Sequence, residues 1–318
     1  MARSRPQLKL YMFPGSNSVL TGKLMLDHKG VDYKVVKLPP GLHAFIMLGL
    51  GFESMGVPAI RFGERRVQGT RSISRALDEI EPARPLFPSD PVARKAVEDA
   101  ERWGEEFQNA TRRMFYAMAR RDRRAFTTFM ISERALPMRI FLRAGAGIII
   151  RLATGAHRAT DDAAREDAGL LPERLDQIDA WIDAGVLGGA ELNAADYQIG
   201  VNVALLMTSE DLAPLIAGRP AADLGRRVLP GQGTRLGRIL PAEWLSAPAA
   251  PTVATPVAVP GPGVVAAAAT GAGAAAGAGA ATGAGATVVS GPVTDGPTAA
   301  FLRSVGIDEA KIAELVRR

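Results

Sequence analysis

Two serines, Ser16 and Ser18, flank Asn17 directly after the turn-forming pair Pro14-Gly15. An apolar run precedes this turn and a stretch with helical spacing follows it, so the hydroxyls and amides of the triplet meet at a predicted helix N-terminus. A hydroxyl donor and a helix N-terminus both stabilise an anion. The alternative is that Ser16 only caps the helix, which is a common role of serine at such a place.

A second stretch that could bind a ligand is Val57–Leu77, which combines an X-Pro bond, a short hairpin and the start of a helix. Ala59–Phe62 and Arg65–Gln68 are the predicted strands, and Gly69-Thr70 opens the helical pattern. Val57-Pro58 is either a cis proline that leaves backbone groups of Val57 free or a trans proline that opens an edge strand. This order of elements predicts a ligand-binding half-domain.

The composition restricts the chemistry. The chain of 318 residues is 47% hydrophobic and 22% charged, which is enough for two folded domains. The absence of cysteine excludes a disulfide framework, a thiolate zinc site and a cysteine nucleophile, so any reactive thiol must arrive with a ligand. Three histidines far apart in sequence do not favour a metal site. The net charge of +5, dominated by arginine, favours anionic small molecules or surfaces.

Strand and helix patterns alternate in the first part of the chain and give the order β-α-β-α-β-β-α. The segments before the hairpin are Leu8–Phe13, Ser16–Lys29, Val31–Leu38 and His43–Glu53. The stretch Glu81–Pro91 then holds four prolines and reads as a linker. Beyond it the apolar pattern is helical throughout, which predicts an all-α domain with helices at Val92–Ala119, Arg123–Leu152 and Asp161–Ala184. The second of these has two candidate breaks, one near Pro137 and one in Gly145-Ala146-Gly147.

The motif Asn193-Ala194-Ala195-Asp196 predicts a helix N-terminus. Asn193 can accept from the Asp196 amide while the Asp196 carboxylate accepts from the Asn193 N–H, which is the capping-box arrangement. Leu192 and Tyr197 have the spacing of the accompanying hydrophobic staple. We therefore expect a buried core helix here, with a role in folding.

The composition changes after Trp244, and no charged residue occurs up to Thr294. Proline, alanine, glycine, valine and threonine predict a flexible, disordered linker, because this mixture provides too little hydrophobic driving force for a membrane span. Residues 297–318 resume an amphipathic helical pattern. Such a tethered tail could dock on a protein partner or on its own body.

The motifs together resemble the cytosolic glutathione S-transferase family. The resemblance rests on the turn Phe13–Ser18 after the first strand, on Val57-Pro58-Ala59, on the helix start Gly69–Ile73 and on the capped helix at Asn193. It implies a thioredoxin-like α/β domain over residues 1–82, with a cis Pro58, and an all-α helical bundle over residues 83–245. The linker 246–296 and the tail 297–318 have no counterpart in the family.

The resemblance also implies a thiol chemistry. Ser16 would donate to the thiolate of glutathione or of another low-molecular-weight thiol, and Val57 would pair with the cysteinyl backbone. Ser18, Pro58, Gln68, Thr70 and Arg71 complete the implied thiol site. The family's tyrosine donor would stand where this chain has Met12, which favours the serine type. Gly69 departs from the family, because a polar residue there usually grips the γ-glutamyl amine; Gln68 is the candidate to compensate.

Two further sets of candidate residues lie on the predicted helix Val92–Ala119 and just after its end. In the family the middle of this helix faces the electrophile, so Phe115, Tyr116 and Met118 are candidate substrate contacts. Arginines interleaved with aromatic residues invite a nucleic-acid interpretation, but helical spacing distributes them around the helix end and favours a solvated face. These arginines are Arg112, Arg113, Arg120, Arg121, Arg123 and Arg124. We expect no nucleic-acid partner.

The sequence therefore predicts a cytoplasmic glutathione-transferase-like enzyme that activates a thiol for attack on a hydrophobic electrophile, without a metal. A homodimer is implied by the resemblance. The alternative is a non-catalytic protein of the same fold that uses residues 297–318 to dock on a partner, and Gly69 favours this alternative.

Overall fold

The computed structural model describes residues 7–13, 15–38, 43–131, 136–231 and 235–245, with side chains described outside residues 131–144. The predicted linker 246–296 and the predicted tail 297–318 lie outside the described residues.

A mixed four-stranded sheet of order β2-β1-β3-β4 forms the first domain. β1 runs parallel to β2 and antiparallel to β3, and β4 is antiparallel to β3. The parallel pair requires the crossover helix α1, while the two-residue turn Gly63-Glu64 joins β3 to β4. The strands are β1 Leu8–Met12, β2 Tyr33–Lys37, β3 Ala59–Phe62 and β4 Arg65–Gln68, and the helices are α1 Asn17–Lys29, α2 His43–Gly49 and α3 Thr70–Ile80. This is the predicted thioredoxin-like order.

Helices make up the remainder of the described chain, as the sequence predicts. Asp90 caps the longest helix by accepting from the Ala93 amide at 2.8 Å, with Pro91 at its first position. The helices are α4 Pro91–Arg121, α5 Arg123–Ile131, α6 Leu136–Ala156, α7 Asp161–Gly169, α8 Leu171–Asp183, α9 Ala194–Leu206, α10 Ala213–Ile216, α11 Pro220–Val228 and a short 3-10 helix at Ala242–Trp244.

Two predicted helices, Asp161–Ala184 and His43–Glu53, had wrong bounds, and a third was divided at a break that the sequence offers. The segment Asp161–Ala184 is two helices: α7 ends at Gly169 and α8 begins at Leu171, because Pro172 in the first turn of α8 has no N–H to donate to the preceding turn. The predicted segment Arg123–Leu152 is divided into α5, which ends at Ile131, and α6, which begins at Leu136 beside Pro137, one of the two breaks that the sequence offers. The second helix ends at Gly49 and not at Glu53, and Gly51 beyond it adopts φ 77°.

Helix α9 lies at the centre of the helical domain and is buried on nearly all sides. The predicted capping box starts it: Asn193 Oδ1 accepts from the Asp196 amide at 3.1 Å, and Asp196 Oδ2 accepts from the Asn193 amide at 2.8 Å. Gly200 lets α11 approach closely, because a Cβ there would lie 2.6 Å from Val228 Cγ2. The sequence prediction of a buried, capped core helix is confirmed.

No helix within the described ranges is long and apolar enough to cross a membrane.

Candidate functional site

The turn between β1 and α1 holds two serine hydroxyls next to each other. Ser16 is the residue before the first turn of α1, with φ −85° and ψ 122°, and its side chain makes no capping bond to the helix. Its Oγ lies 2.9 Å from Ser18 Oγ. Ser18 is buried, whereas Ser16 is partly exposed. The Ser16 side chain therefore does not cap α1, and its hydroxyl contacts Ser18 instead.

Ser18 connects this turn to the second predicted stretch. Its hydroxyl donates to the Val57 carbonyl at 3.3 Å, so Ser16 is the donor between the two serines when Ser18 uses its own proton in this way. The Val57–Pro58 peptide bond is cis. Val57 N–H makes no hydrogen bond to a described residue and is therefore free to donate to a ligand.

The start of α3 contributes a hydroxyl and an arginine. Thr70 is the first residue of α3, and its hydroxyl makes no hydrogen bond to a described residue. Gly69 before it has φ 84°, and its amide donates to the Pro58 carbonyl at 3.0 Å. Arg71 pairs with Glu105 at 3.5 Å, which offsets part of its charge. The N-terminus of α3 with Thr70 therefore supplies the polar groups of the second candidate stretch.

Gln68 does not point to the space that Gly69 leaves open. Its Nε2 donates to the carbonyls of Ser54 and Gly56 at 2.8 and 3.1 Å, and its Oε1 accepts from the Ser54 amide at 2.9 Å. Both N–H groups of the amide are used by this loop. The structure thus gives Gln68 a loop-fixing position, which does not favour the prediction that it compensates for Gly69.

A buried carboxylate joins α3 to α4 below this end. Glu101 is fully buried and accepts from Ser74 Oγ at 2.6 Å and from Arg75 Nη1 at 2.5 Å. Burial raises the pKa of Glu101, while the hydroxyl and the guanidinium oppose that rise. The network fixes the N-terminal half of α3 against the helical domain.

Sequence reasoning missed a polar network that holds Asn17. Asn17 Nδ2 donates to Asn202 Oδ1 of helix α9 at 2.7 Å, and Asn17 Oδ1 accepts from the Ser18 amide and from Arg112 Nε at 3.0 and 3.2 Å. Asn17 Nδ2 is thus engaged by Asn202, and Asn17 Oδ1 by two donors, which holds this side chain in the protein network. The three residues come from three helices, so no local pattern marks them as partners.

The three candidate substrate contacts are not equivalent. Phe115 and Met118 are buried in the core, with 5% and 0% of their surface exposed, which does not favour them as substrate contacts. Tyr116 is partly exposed and its ring stacks on His157, with centroids 5.4 Å apart and planes 9° apart. Burial, with the charges of Arg112 and Arg113, lowers the pKa of His157 to about 4, so the imidazole is neutral at pH 7.

Much of the arginine cluster is held by acidic side chains. Arg113 forms two bonds to Asp167, and both Arg120 and Arg121 bind Asp161. These ion pairs stabilise α4 against α7 and leave less charge for a nucleic acid. Arg123, Arg124 and Arg151 instead line a cavity of about 870 Å³ between α5 and α6, with Thr127, Thr128, Ala146, Gly147 and Ile148. Within the described ranges, no three side chains of metal-binding type form a cluster.

Comparison with known proteins identifies the fold. No family model matches this chain, and no curated protein matches it. Among solved structures, a glutathione S-transferase I bound to lactoylglutathione is 14% identical, with a TM-score of 0.50 over 70% of this chain and 92% of that chain. A glutathione S-transferase of Methylobacterium radiotolerans in complex with glutathione sulfonate is 18% identical, with a TM-score of 0.45 over 79% and 100% of the two chains. A GST-like protein of Pseudomonas syringae is 16% identical, with a TM-score of 0.47 over 73% and 70%. The predicted glutathione S-transferase fold is thereby confirmed.

Proposed function

We propose that this chain, which has the glutathione S-transferase fold, is a transferase that activates a low-molecular-weight thiol and directs it to a hydrophobic electrophile. One observation carries the proposal: the Ser18 hydroxyl contacts both Ser16 Oγ and the Val57 carbonyl, so two loops that could each bind part of a thiol ligand are joined. Glutathione is the thiol that the resemblance implies.

Ser16 is the proposed catalytic residue. When a thiol binds, the Ser16 hydroxyl turns from Ser18 to the sulfur and donates to the thiolate, and the thiol proton leaves to solvent. A bond to an ionised acceptor is about twice as strong as a neutral one, so the exchange is favourable. Each unit by which the thiol pKa falls corresponds to about 1.36 kcal/mol of thiolate stabilisation. One charge-assisted hydrogen bond of about 1.5–3 kcal/mol therefore lowers the pKa by roughly one to two units.

The remainder of the thiol site is proposed at Val57 and at the start of α3. Val57 N–H donates to the cysteinyl carbonyl, and the Thr70 hydroxyl with the α3 N-terminus binds a terminal carboxylate. Arg71 adds a charge that Glu105 partly offsets. Because Gly69 carries no side chain and the Gln68 amide is engaged elsewhere, the amine end of glutathione gains little, and smaller thiols that share its cysteinyl part bind with similar affinity.

The test is a titration of bound thiol. Glutathione and cysteinylglycine are added to the wild type, to Ser16→Ala and to the control Ser72→Ala, and thiolate absorbance is followed against pH. We expect Ser16→Ala to raise the pKa of the bound thiol by about one unit or more, with a change in Kd below about threefold. Ser72 is exposed on α3, and its variant should match the wild type.

Two outcomes contradict the proposal in different ways. If no thiol binds the wild type, the enzyme hypothesis fails and the non-catalytic alternative with the docking tail gains support. If thiols bind and Ser16→Ala leaves the thiolate signal unchanged, thiol binding stands and Ser16 loses the catalytic role.

A further inference from the structure

Arg112 is a cation next to the thiol site without an acidic partner among the described residues. Its Nε donates to Asn17 Oδ1 at 3.2 Å and its Nη1 donates to Asn109 Oδ1 at 3.2 Å. Nη2 makes no hydrogen bond to a described residue and is not sealed from solvent. The nearby carboxylate of Glu105 is paired with Arg71 instead. Nη2 is therefore the guanidinium nitrogen that lacks a protein acceptor in the described part of the chain and that a ligand could engage.

The surroundings of Arg112 favour an anion. Burial lowers the pKa of Arg112, but a guanidinium keeps its charge at neutral pH. A charge of this kind, largely removed from water, attracts an opposite charge more strongly than an exposed one does. Tyr116 follows one helical turn later on α4, and His157 stacks on it in a neutral state. Together they give an aromatic surface beside Arg112, whereas Arg113, the other cation that acts on His157, is paired with Asp167.

We propose that Arg112 is a specificity-determining residue that binds the carboxylate of an anionic electrophile, whose apolar part lies along Tyr116. This inference rests on the proposed thiol transferase function, since the electrophile must meet the thiolate at Ser16. Asn17, the residue after Ser16, accepts from Arg112 and so fixes the cation beside the reacting sulfur. Charge-assisted bonds to carboxylate are the contacts that the planar guanidinium makes best.

A matched pair of electrophiles tests the inference. The probes are 4-chloro-3-nitrobenzoate and 4-chloro-3-nitrobenzamide, which differ in charge at one position. In both, the thiolate forms the C–S bond at the carbon that bears chlorine, the electron pair passes into the nitro-substituted ring, and chloride leaves with the electrons of the C–Cl bond. Neither reaction requires an oxidant or a reductant.

The variants separate charge from structure. We expect Arg112→Gln to lower kcat/KM at least tenfold more for the benzoate than for the benzamide, mainly through KM, while any loss shared by both substrates reports the missing bond to Asn17. Tenfold corresponds to about 1.4 kcal/mol. Arg112→Lys keeps a charge and should retain part of the preference. Arg102→Gln removes an exposed positive charge from the same helix and should change neither substrate.

The outcomes distinguish this inference from the proposed function. Equal losses for both electrophiles, with a raised pKa of the bound thiol, would place Arg112 at the thiolate and overturn the inference. If the wild type conjugates neither probe, equilibrium binding of the two probes decides: a preference for the benzoate that Arg112→Gln abolishes supports the anion site, and the thiol titration decides the transferase proposal separately. Equal binding of benzoate and benzamide by the wild type overturns it.

Discussion

The amide pair between Asn17 and Asn202 makes the geometry of the thiol site depend on a helix of the other domain. Asn202 is fully buried, and its Oδ1 accepts from Asn17 Nδ2 at 2.7 Å. Asn202 Nδ2 donates to the Gln198 carbonyl one turn earlier at 2.7 Å. In Asn202→Ala, Asn17 keeps its bonds from the Ser18 amide and from Arg112, but its buried Nδ2 loses its acceptor.

The size of the effect follows from these contacts. A buried donor without an acceptor costs about 1–3 kcal/mol. The Gln198 carbonyl still accepts a backbone hydrogen bond within the helix, so the loss of its bond from Asn202 Nδ2 adds little. The removed side-chain amide of Asn202 leaves a small void, which adds a further cost. We expect a total loss of about 2–4 kcal/mol in the free energy of unfolding, which is a large share of the roughly 5–15 kcal/mol typical of a folded domain.

Two measurements check this prediction. Urea unfolding gives the stability of Asn202→Ala, and Asn109→Ala is the control, because Asn109 is partly exposed and accepts one bond from Arg112. We expect the control to lose less than about 1 kcal/mol. The thiolate titration should show a raised pKa of the bound thiol in Asn202→Ala, since the α1 N-terminus loses its anchor. A stability loss below about 1 kcal/mol in Asn202→Ala would refute the reasoning.

Three further predictions concern packing, the ligand and pH. Gly200→Ala should destabilise the fold by about 1–3 kcal/mol in thermal unfolding, because its Cβ would lie 2.6 Å from Val228 Cγ2, whereas Gly155→Ala, which meets nothing within 4 Å, should be neutral or stabilising. Gly69→Glu should tighten glutathione binding in calorimetry but leave N-acetylglutathione unchanged, at a stability cost of about 1–3 kcal/mol for a side chain at φ 84°. In the folded chain the pKa of His157 is lowered to about 4, so between about pH 6.5 and 4 the unfolded chain binds more protons than the folded chain does. The free energy of unfolding should therefore decrease as the pH is lowered from 6.5 to 4, by about 1 kcal/mol after solvent screening, and His157→Gln should remove this part of the pH dependence.

The first domain could be predicted from sequence because each of its signals is local. A short apolar run gave β3 Ala59–Phe62, and the turn Gly63-Glu64 with the helix start at Gly69 gave the returning strand β4 Arg65–Gln68, both with their observed bounds. The capping box at Asn193 was predictable down to its two hydrogen bonds, since both partners lie within one helical turn. Pro172 also indicated a helix break in the sequence, but the continuous apolar stripe along Asp161–Ala184 favoured a single helix.

The candidate site divides in the same way. Sequence reasoning named Ser16, Ser18 and Val57, and these residues do lie together in the structure. It could not foresee that the Gln68 amide is taken up by a loop twelve to fourteen residues earlier. It gave no warning that Met118 is fully buried, because helical spacing alone does not say which face of α4 meets the core.

What the sequence determined by itself is the order of elements, the caps and the turn that carries Ser16, because hydrogen bonds between near neighbours depend on residue type and spacing alone. Only the tertiary structure decided the partners of Asn17, since Asn202 lies 185 residues further along the chain and Arg112 lies 95. The tertiary structure also decided that Nε and Nη1 of Arg112 find acceptors while Nη2 finds none among the described residues. Whether a buried polar group finds an acceptor depends on how helices pack, and packing joins residues that no local pattern connects.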